Sequence, residues 1–412
     1  MKKTLVLFLC LCMLIPTMSF ATDEAVELTF WIRTSDAFVE DQIAAYMVDH
    51  PNVKINVEAV GAGYGDLRTK FSLGLQGEDL PDMSIAGWSG IGTLYDAGAI
   101  VDIQTIPGWE GIAGDLVDVF SQRCLYKDAV VAIPYQVSAP VMFYNKTMLE
   151  TKNLTVPTTF TELMETAEKC VEKDETGSTT VYGFNTADDI NWYLIPMIYC
   201  FGGSFNDEED NCQLNTEATQ KVYAWWAEMV NKGILPANQH DTSKEDFANG
   251  YTAFYFTSCA SYADLAATVG DNFEMGVALF PQQDTQQVNL GGNGIIIFTK
   301  DEAKQKAILD LAAYLIQPQQ LQAVVDKGYL PVSKSTLASD YVADKVANDA
   351  NIQVIYDQVN YITVFIQHPA YSKATSLMKT LASDIEADPG ADIQALIAEM
   401  QQEIDEYMED YQ

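Results

Sequence analysis

The stretch AGWSG, residues 86–90, sets Trp88 and Ser89 between two glycines, outside any helical stripe that would claim the ring for a core. GAGYGD, residues 61–66, presents Tyr64 in the same way. A flat ring beside hydroxyls and amides can stack on one face of a small polar guest and hydrogen-bond its rim. Ser258, in TSCASYADL, ends a run of Phe and Tyr and is placed to cap a helix or touch a guest. Gly291 and Gly292 lack side chains and would let backbone approach a ligand closely. Arg33 can bridge a hydroxyl or an anion, or form a structural ion pair. Other chemistries lack support. The three histidines, His50, His240 and His368, are scattered and no CxxC pair occurs, so neither a metal site nor a cofactor is expected. No GxSxG, HExxH or P-loop pattern appears. With 58 acidic residues, carboxylate pairs are unavoidable and carry no information.

The elements that must hold these residues read as α/β. VELTFWI (26–32) alternates like a strand, 36–49 repeats apolar residues at helical spacing, and NVKINVEAV (52–60) alternates again. Residues 63–75 are helix-like and PDMSIA (81–86) is a third strand. Strand and helix in alternation predict a parallel sheet, where ligands gather at loops leaving the carboxyl ends of strands. Those loops carry Arg33, Tyr64 and Trp88. Helices are expected at 159–172, 191–199, 216–232, 301–316 and 319–327, strands at 273–278 and 292–298, and helix beyond 333. In IPYQVSAPVMFY (133–144), Pro134 and Pro140 bracket a polar patch, so one strand ends, crosses and another begins.

The net charge of −35 argues against nucleic acid and against an anionic membrane surface. It keeps the chain dispersed, as a monomer. The start, MKKTLVLFLCLCMLIPTMSFA, has Lys2 and Lys3 before an apolar stretch too short to span a bilayer, then Ser19 and Ala21 where a cleavage site needs small residues. Residues 1–21 are therefore expected to be a signal peptide, and the protein periplasmic or extracytoplasmic. Cys10 and Cys12 do not follow the small residue of a lipid-anchor site. Five cysteines remain, and Cys200 with Cys212 is the closest pair, a candidate disulfide that would stabilise by about 2–3 kcal/mol. Buried free thiols are the alternative.

Several stretches in one order resemble the extracellular solute-binding proteins of ABC importers, family 1, the carbohydrate binders that include the maltose- and glycerol-3-phosphate-binding proteins. They are ELTFWIR, LPDMSIAGWSGIGTLYDAGAIVDI, VVAIPYQVSAPVMFYNKTMLE, FANGYTAFYFTSCASYADL, NLGGNGIIIF and GYLPVSKS. The resemblance implies a two-lobed, periplasmic-binding-protein-like fold of type II with a ligand cleft between lobes. It implies lobe 1 from 22–134 plus about 284–330 and lobe 2 from about 140–281 plus about 333–412. Hinge crossings fall near 134–140, 280–287 and 328–333. Gln136 and Ser138 then lie on a crossing that touches both lobes, Trp192 is a stacking aromatic on a lobe 2 helix, and Tyr329 is a cleft aromatic. Trp225 and Trp226, mid-helix, read as core.

The implied function is capture of a sugar or oligosaccharide and delivery to the membrane subunits of an ABC permease. A phosphorylated polyol such as glycerol 3-phosphate is the alternative. The phosphate-holding arginine of that branch is replaced here by Ala370, although Arg33, Lys373 or His368 could substitute. A secreted glycan-active enzyme is the alternative of another class, and catalysis is not expected.

Overall fold

A computed structural model describes residues 25–411, apart from 78, 208, 210, 365–367 and 369. The expected signal peptide lies outside the described residues. Among the described residues, twelve strands run in chain order as β1 (Val26–Ile32), β2 (Val53–Ala59), β3 (Met83–Gly87), β4 (Leu125–Tyr126), β5 (Ala129–Val130), β6 (Ile133–Ser138), β7 (Pro140–Asn145), β8 (Glu172–Lys173), β9 (Thr179–Thr186), β10 (Thr252–Ser258), β11 (Met275–Ala278) and β12 (Gly291–Ile297).

Two five-stranded sheets result, in the orders β2-β1-β3-β12-β6 and β11-β7-β10-β9-β8, and β4 pairs only with β5. The chain is thus a two-lobed α/β protein. β1 is parallel to β2 and β3, as the alternation of helix and strand requires. β3 is buried along its whole length, which suits a strand flanked on both edges and covered on both faces. β1 alternates only at its exposed end and then runs buried through Phe30, Trp31 and Ile32.

The two prolines sit where a ladder can spare their missing N–H. Pro134 lies at the edge strand β6, opposite the register shift between Asn293 and Gly294. Pro140 is the first residue of β7, opposite Ser258. Between them the chain leaves one sheet and enters the other at Ala139. It returns through residues 279–290, between β11 and β12. A third segment, 328–333, touches β6 through the Leu330 N–H to Val137 carbonyl bond (2.8 Å).

The helix Glu217–Asn231 buries Trp225 and Trp226, the second completely. Their indole nitrogens donate to the Phe160 carbonyl (3.0 Å) and the Glu386 carboxylate (2.8 Å), so both are core. The expected helix at 159–172 runs Phe160–Cys170, opened by a Thr159–Glu162 capping box. Residues 172–173 instead form β8 against β9, a strand that sequence analysis left out.

The candidate disulfide does not form. All five described cysteines are buried free thiols. A bridge between Asn206 and Cys212 folds the intervening loop so that Cys212 meets Asn206, while the Cys200 thiol donates to the Gln287 carbonyl at 3.2 Å. Burial pushes the Cys200 thiol up to about 11 and the Cys212 and Cys259 thiols to about 12. Neutral, enclosed thiols react slowly. We expect iodoacetamide to label none of the five in the folded protein and all five in guanidinium without reductant. Mass spectrometry would read this, and a Cys200–Cys212 pair surviving denaturation would refute it.

Candidate functional site

A cavity of about 780 Å³ opens between the two sheets. Its walls are the loops that leave the carboxyl ends of β1, β3, β9 and β10, the start of β12, and the first turns of the helix Tyr371–Ala387. This is where sheets of mixed helix and strand collect ligands.

Ten of the sequence candidates line it: Arg33, Tyr64, Trp88, Ser89, Ser138, Trp192, Ser258, Gly291, Gly292 and Tyr329. Gln136 does not. It is fully buried behind the wall, and its Oε1 accepts from Arg33 Nη2 (3.2 Å) and Asn293 Nδ2 (2.9 Å). It shares a strand face with Ser138 but lies deeper, where these two side chains cover it.

The floor is a fixed network. Arg33 makes a two-pronged pair with Asp36 (2.7 and 2.8 Å) and lies 4.0 Å over the Tyr64 ring. Burial opposes its charge, but the Asp36 carboxylate outweighs that and holds the guanidinium pKa above its usual range. Asn293 Nδ2 donates to the Tyr64 hydroxyl at 2.9 Å. Burial raises the pKa of that hydroxyl and the one on Tyr329, against the pull of Arg33, so both stay neutral. Tyr64 also lies against Gly87, where a Cβ would sit 2.7 Å from the ring. With Arg33 over its face and Gly87 against it, Tyr64 offers its hydroxyl more than a stacking platform.

Trp88 is 5% exposed, and its Nε1 donates to the Gly291 carbonyl at 2.9 Å, tying β3 to β12. Trp192 is half-buried and stands over Gly291, where a Cβ would meet its ring at 2.4 Å and the Ser138 hydroxyl at 2.8 Å. At Gly292, φ is +93° and a Cβ would sit 1.8 Å from the Gln136 carbonyl. These glycines make room for Trp192 and for β6, and both line the cleft.

Sequence analysis missed several wall residues. Tyr371, Ser372, Thr375, Ser376 and Lys379 form a stripe on the helix Tyr371–Ala387. Asp189 follows β9 and accepts from the Tyr193 hydroxyl at 2.9 Å; desolvation in the cleft raises its pKa above the usual value. Arg68, Arg123 and Lys379 add three cations. Of the residues considered as a substitute for the missing arginine, Arg33 is engaged by Asp36 and Lys373 pairs with Glu403 at 2.8 Å, outside the cleft. His368 Nδ1 accepts the Ala370 N–H at 3.1 Å.

The sequence pattern of bacterial extracellular solute-binding proteins matches residues 41–352. A structure of UgpB from Mycobacterium tuberculosis in complex with glycerophosphocholine is 22% identical, covers 93% of this chain and 99% of its own, and superposes with a TM-score of 0.82. The sugar-binding protein MalE of Xanthomonas citri is 18% identical over 94% of this chain and 98% of its own, with a TM-score of 0.79. By sequence, the sn-glycerol-3-phosphate-binding periplasmic protein UgpB of Rhizobium meliloti is 24% identical over 60% of each chain.

Proposed function

From a chain that belongs to the bacterial extracellular solute-binding protein family, we propose that it captures a sugar or oligosaccharide in this cleft and hands it to an ABC-type permease. The single observation that carries this is the wall itself: Trp192 beside Ser138, with the hydroxyls of Ser89, Ser258, Ser372, Thr375 and Ser376 around the same space. Rings suit the C–H faces of a sugar and hydroxyls suit its rim. The protein acts outside the cytoplasm, released there by loss of residues 1–21, and no helix among the described residues is long and apolar enough to cross a membrane.

Binding closes the lobes about the two segments where the chain changes sheets and about the third segment, 328–333. The first and third are tied together, since the Ala139 carbonyl accepts from the Cys259 N–H (2.9 Å) and Gly328 packs on the Cys259 carbonyl. An affinity of about micromolar, roughly −8 kcal/mol, would capture solute and still release it.

A glycoside hydrolase needs two carboxylates across the scissile bond. Asp189 is the one carboxylate in the wall among the described residues, which favours a carrier. A phosphorylated polyol remains the second reading, favoured by the cations of the wall and by the ligands named for the two UgpB relatives.

The test is a thermal-shift screen against sugars, oligosaccharides and glycerol phosphates. A ligand at a hundred times its dissociation constant adds about 2.7 kcal/mol, a rise of several degrees. Trp192→Ala is expected to weaken that ligand by about tenfold to a hundredfold. Unshifted melting across the whole panel would remove the proposal, and unchanged affinity in Trp192→Ala would remove the stacking role.

A further inference from the structure

Asn293 stands at the irregularity where β12 slips against β6, and its side chain enters the ladder there. Asn293 Oδ1 accepts the Gln136 backbone N–H at 3.3 Å. Its amide nitrogen serves two acceptors, Gln136 Oε1 and the Tyr64 hydroxyl, both at 2.9 Å. Gln136 Oε1 also accepts from Arg33 Nη2 at 3.2 Å. Asn293 and Gln136 are both fully buried.

The polarity of this chain of hydrogen bonds is forced at two points. A guanidinium only donates, so the oxygen of Gln136, and not its nitrogen, faces Arg33 and Asn293. A backbone N–H only donates, so the oxygen of Asn293 faces β6. Each constraint alone turns the Asn293 nitrogen toward Tyr64, and the two agree. The arrangement holds although it leaves Gln136 Nε2 without a partner among the described residues. The Tyr64 oxygen therefore accepts from the protein, and burial keeps the phenol neutral, so its own proton remains to be given. With Arg33 over the ring, that O–H is what Tyr64 presents to the cleft it lines.

We propose that Asn293 is a positioning residue that sets Tyr64 as a hydrogen-bond donor, so that this part of the cleft floor recognises an acceptor oxygen of the solute: a ring or glycosidic oxygen, or the lone pair of a hydroxyl. This rests on the cleft being the solute site. It goes beyond that reading by naming the kind of atom the floor selects and the buried side chain that selects it. A carboxylate at the same place would claim the Tyr64 proton and leave the phenol oxygen to accept a guest O–H instead.

The test uses the protein lacking residues 1–21 and calorimetric titration. The probe is whichever of glucose, galactose, mannose, maltose, maltotriose and glycerol 3-phosphate raises the melting temperature most. Tyr64→Phe, which keeps the ring, is expected to bind it about tenfold more weakly. Asn293→Asp, which reverses the polarity, is expected to lose about tenfold or more, and Asn293→Ala, which leaves the phenol unclaimed, to lose less. Combined with Tyr64→Phe, either change at Asn293 is expected to weaken binding by less than about twofold further. A merely structural Asn293 would show its full loss again in the Tyr64→Phe background, and that result overturns the assignment. So does wild-type affinity in Tyr64→Phe or in Asn293→Asp, and sugar capture then still stands. If Asn293→Asp does not fold, the cycle of Asn293→Ala with Tyr64→Phe decides. Unshifted melting across the whole set removes solute capture, and this assignment with it.

Discussion

Gly292→Ala will melt several degrees below the wild-type protein, losing roughly 3 kcal/mol or more of stability. Two costs add. At φ +93° an L-residue is strained, and its Cβ would lie 1.8 Å from the Gln136 carbonyl. The obstacle is backbone of the paired strand β6, so relief requires prising β12 from β6 near the register shift. Gly291→Ala is the informative control. Its Cβ meets the Trp192 ring and the Ser138 hydroxyl, and both side chains can rotate away. That variant should melt closer to wild type while losing affinity for solute, since the ring it displaces lines the cleft. Differential scanning calorimetry of both proteins decides the matter. The account is wrong if Gly291→Ala is the less stable of the two.

Glu386→Ala carries the other large effect, a loss of about 3–5 kcal/mol. The Glu386 carboxylate is inaccessible to water and gathers three partners: Trp226 Nε1 at 2.8 Å, the Asn238 backbone N–H at 2.5 Å, and His240 Nε2 at 3.0 Å. Removing it leaves those groups without an acceptor in a closed interior and opens a void beside Trp226. Glu386→Gln should fall between, because the amide keeps one acceptor oxygen but turns N–H groups toward other donors. Glu386 sits on the last turn of the helix Tyr371–Ala387, whose first turns wall the cleft. Slackening that anchor should therefore also weaken solute binding under conditions where the variant is still folded. Chemical denaturation gives the first number and titration of the folded variant the second. A Glu386→Ala protein as stable as its parent would show the cluster to be decorative.

The frame of the fold was legible because its central strands announce themselves. β3 is apolar but for Ser84, β12 ends in the apolar run Ile295–Ile297, and β2 alternates. β9, TTVYGFNT, was not, since it mixes polar residues with Gly183. That glycine is there for close packing: a Cβ would lie 2.2 Å from the Ala167 carbonyl of the neighbouring helix. At the site, Trp88 and Tyr64 could be picked out because glycines isolate them at strand ends. Gln136 misled because a polar residue on the face of Ser138 looked equally available, and only the third dimension puts Asn293 and Arg33 over it. Arg123 could not be found locally, as it ends a short helix and reaches Trp88 only through the fold. The stripe from Tyr371 to Lys379 has the four-residue spacing of any solvated helix face, and nothing in the spacing says that the face looks across a cleft. Cys200 and Cys212 are close in sequence, but the loop between them turns back on itself too early to join them.

The insertion of β12 between β3 and β6 has a consequence for biogenesis. Both flanking strands are synthesised long before the strand that zips them together. A nascent polypeptide therefore cannot complete its first sheet until most of its length has emerged, and neither half of the gene encodes a self-sufficient piece.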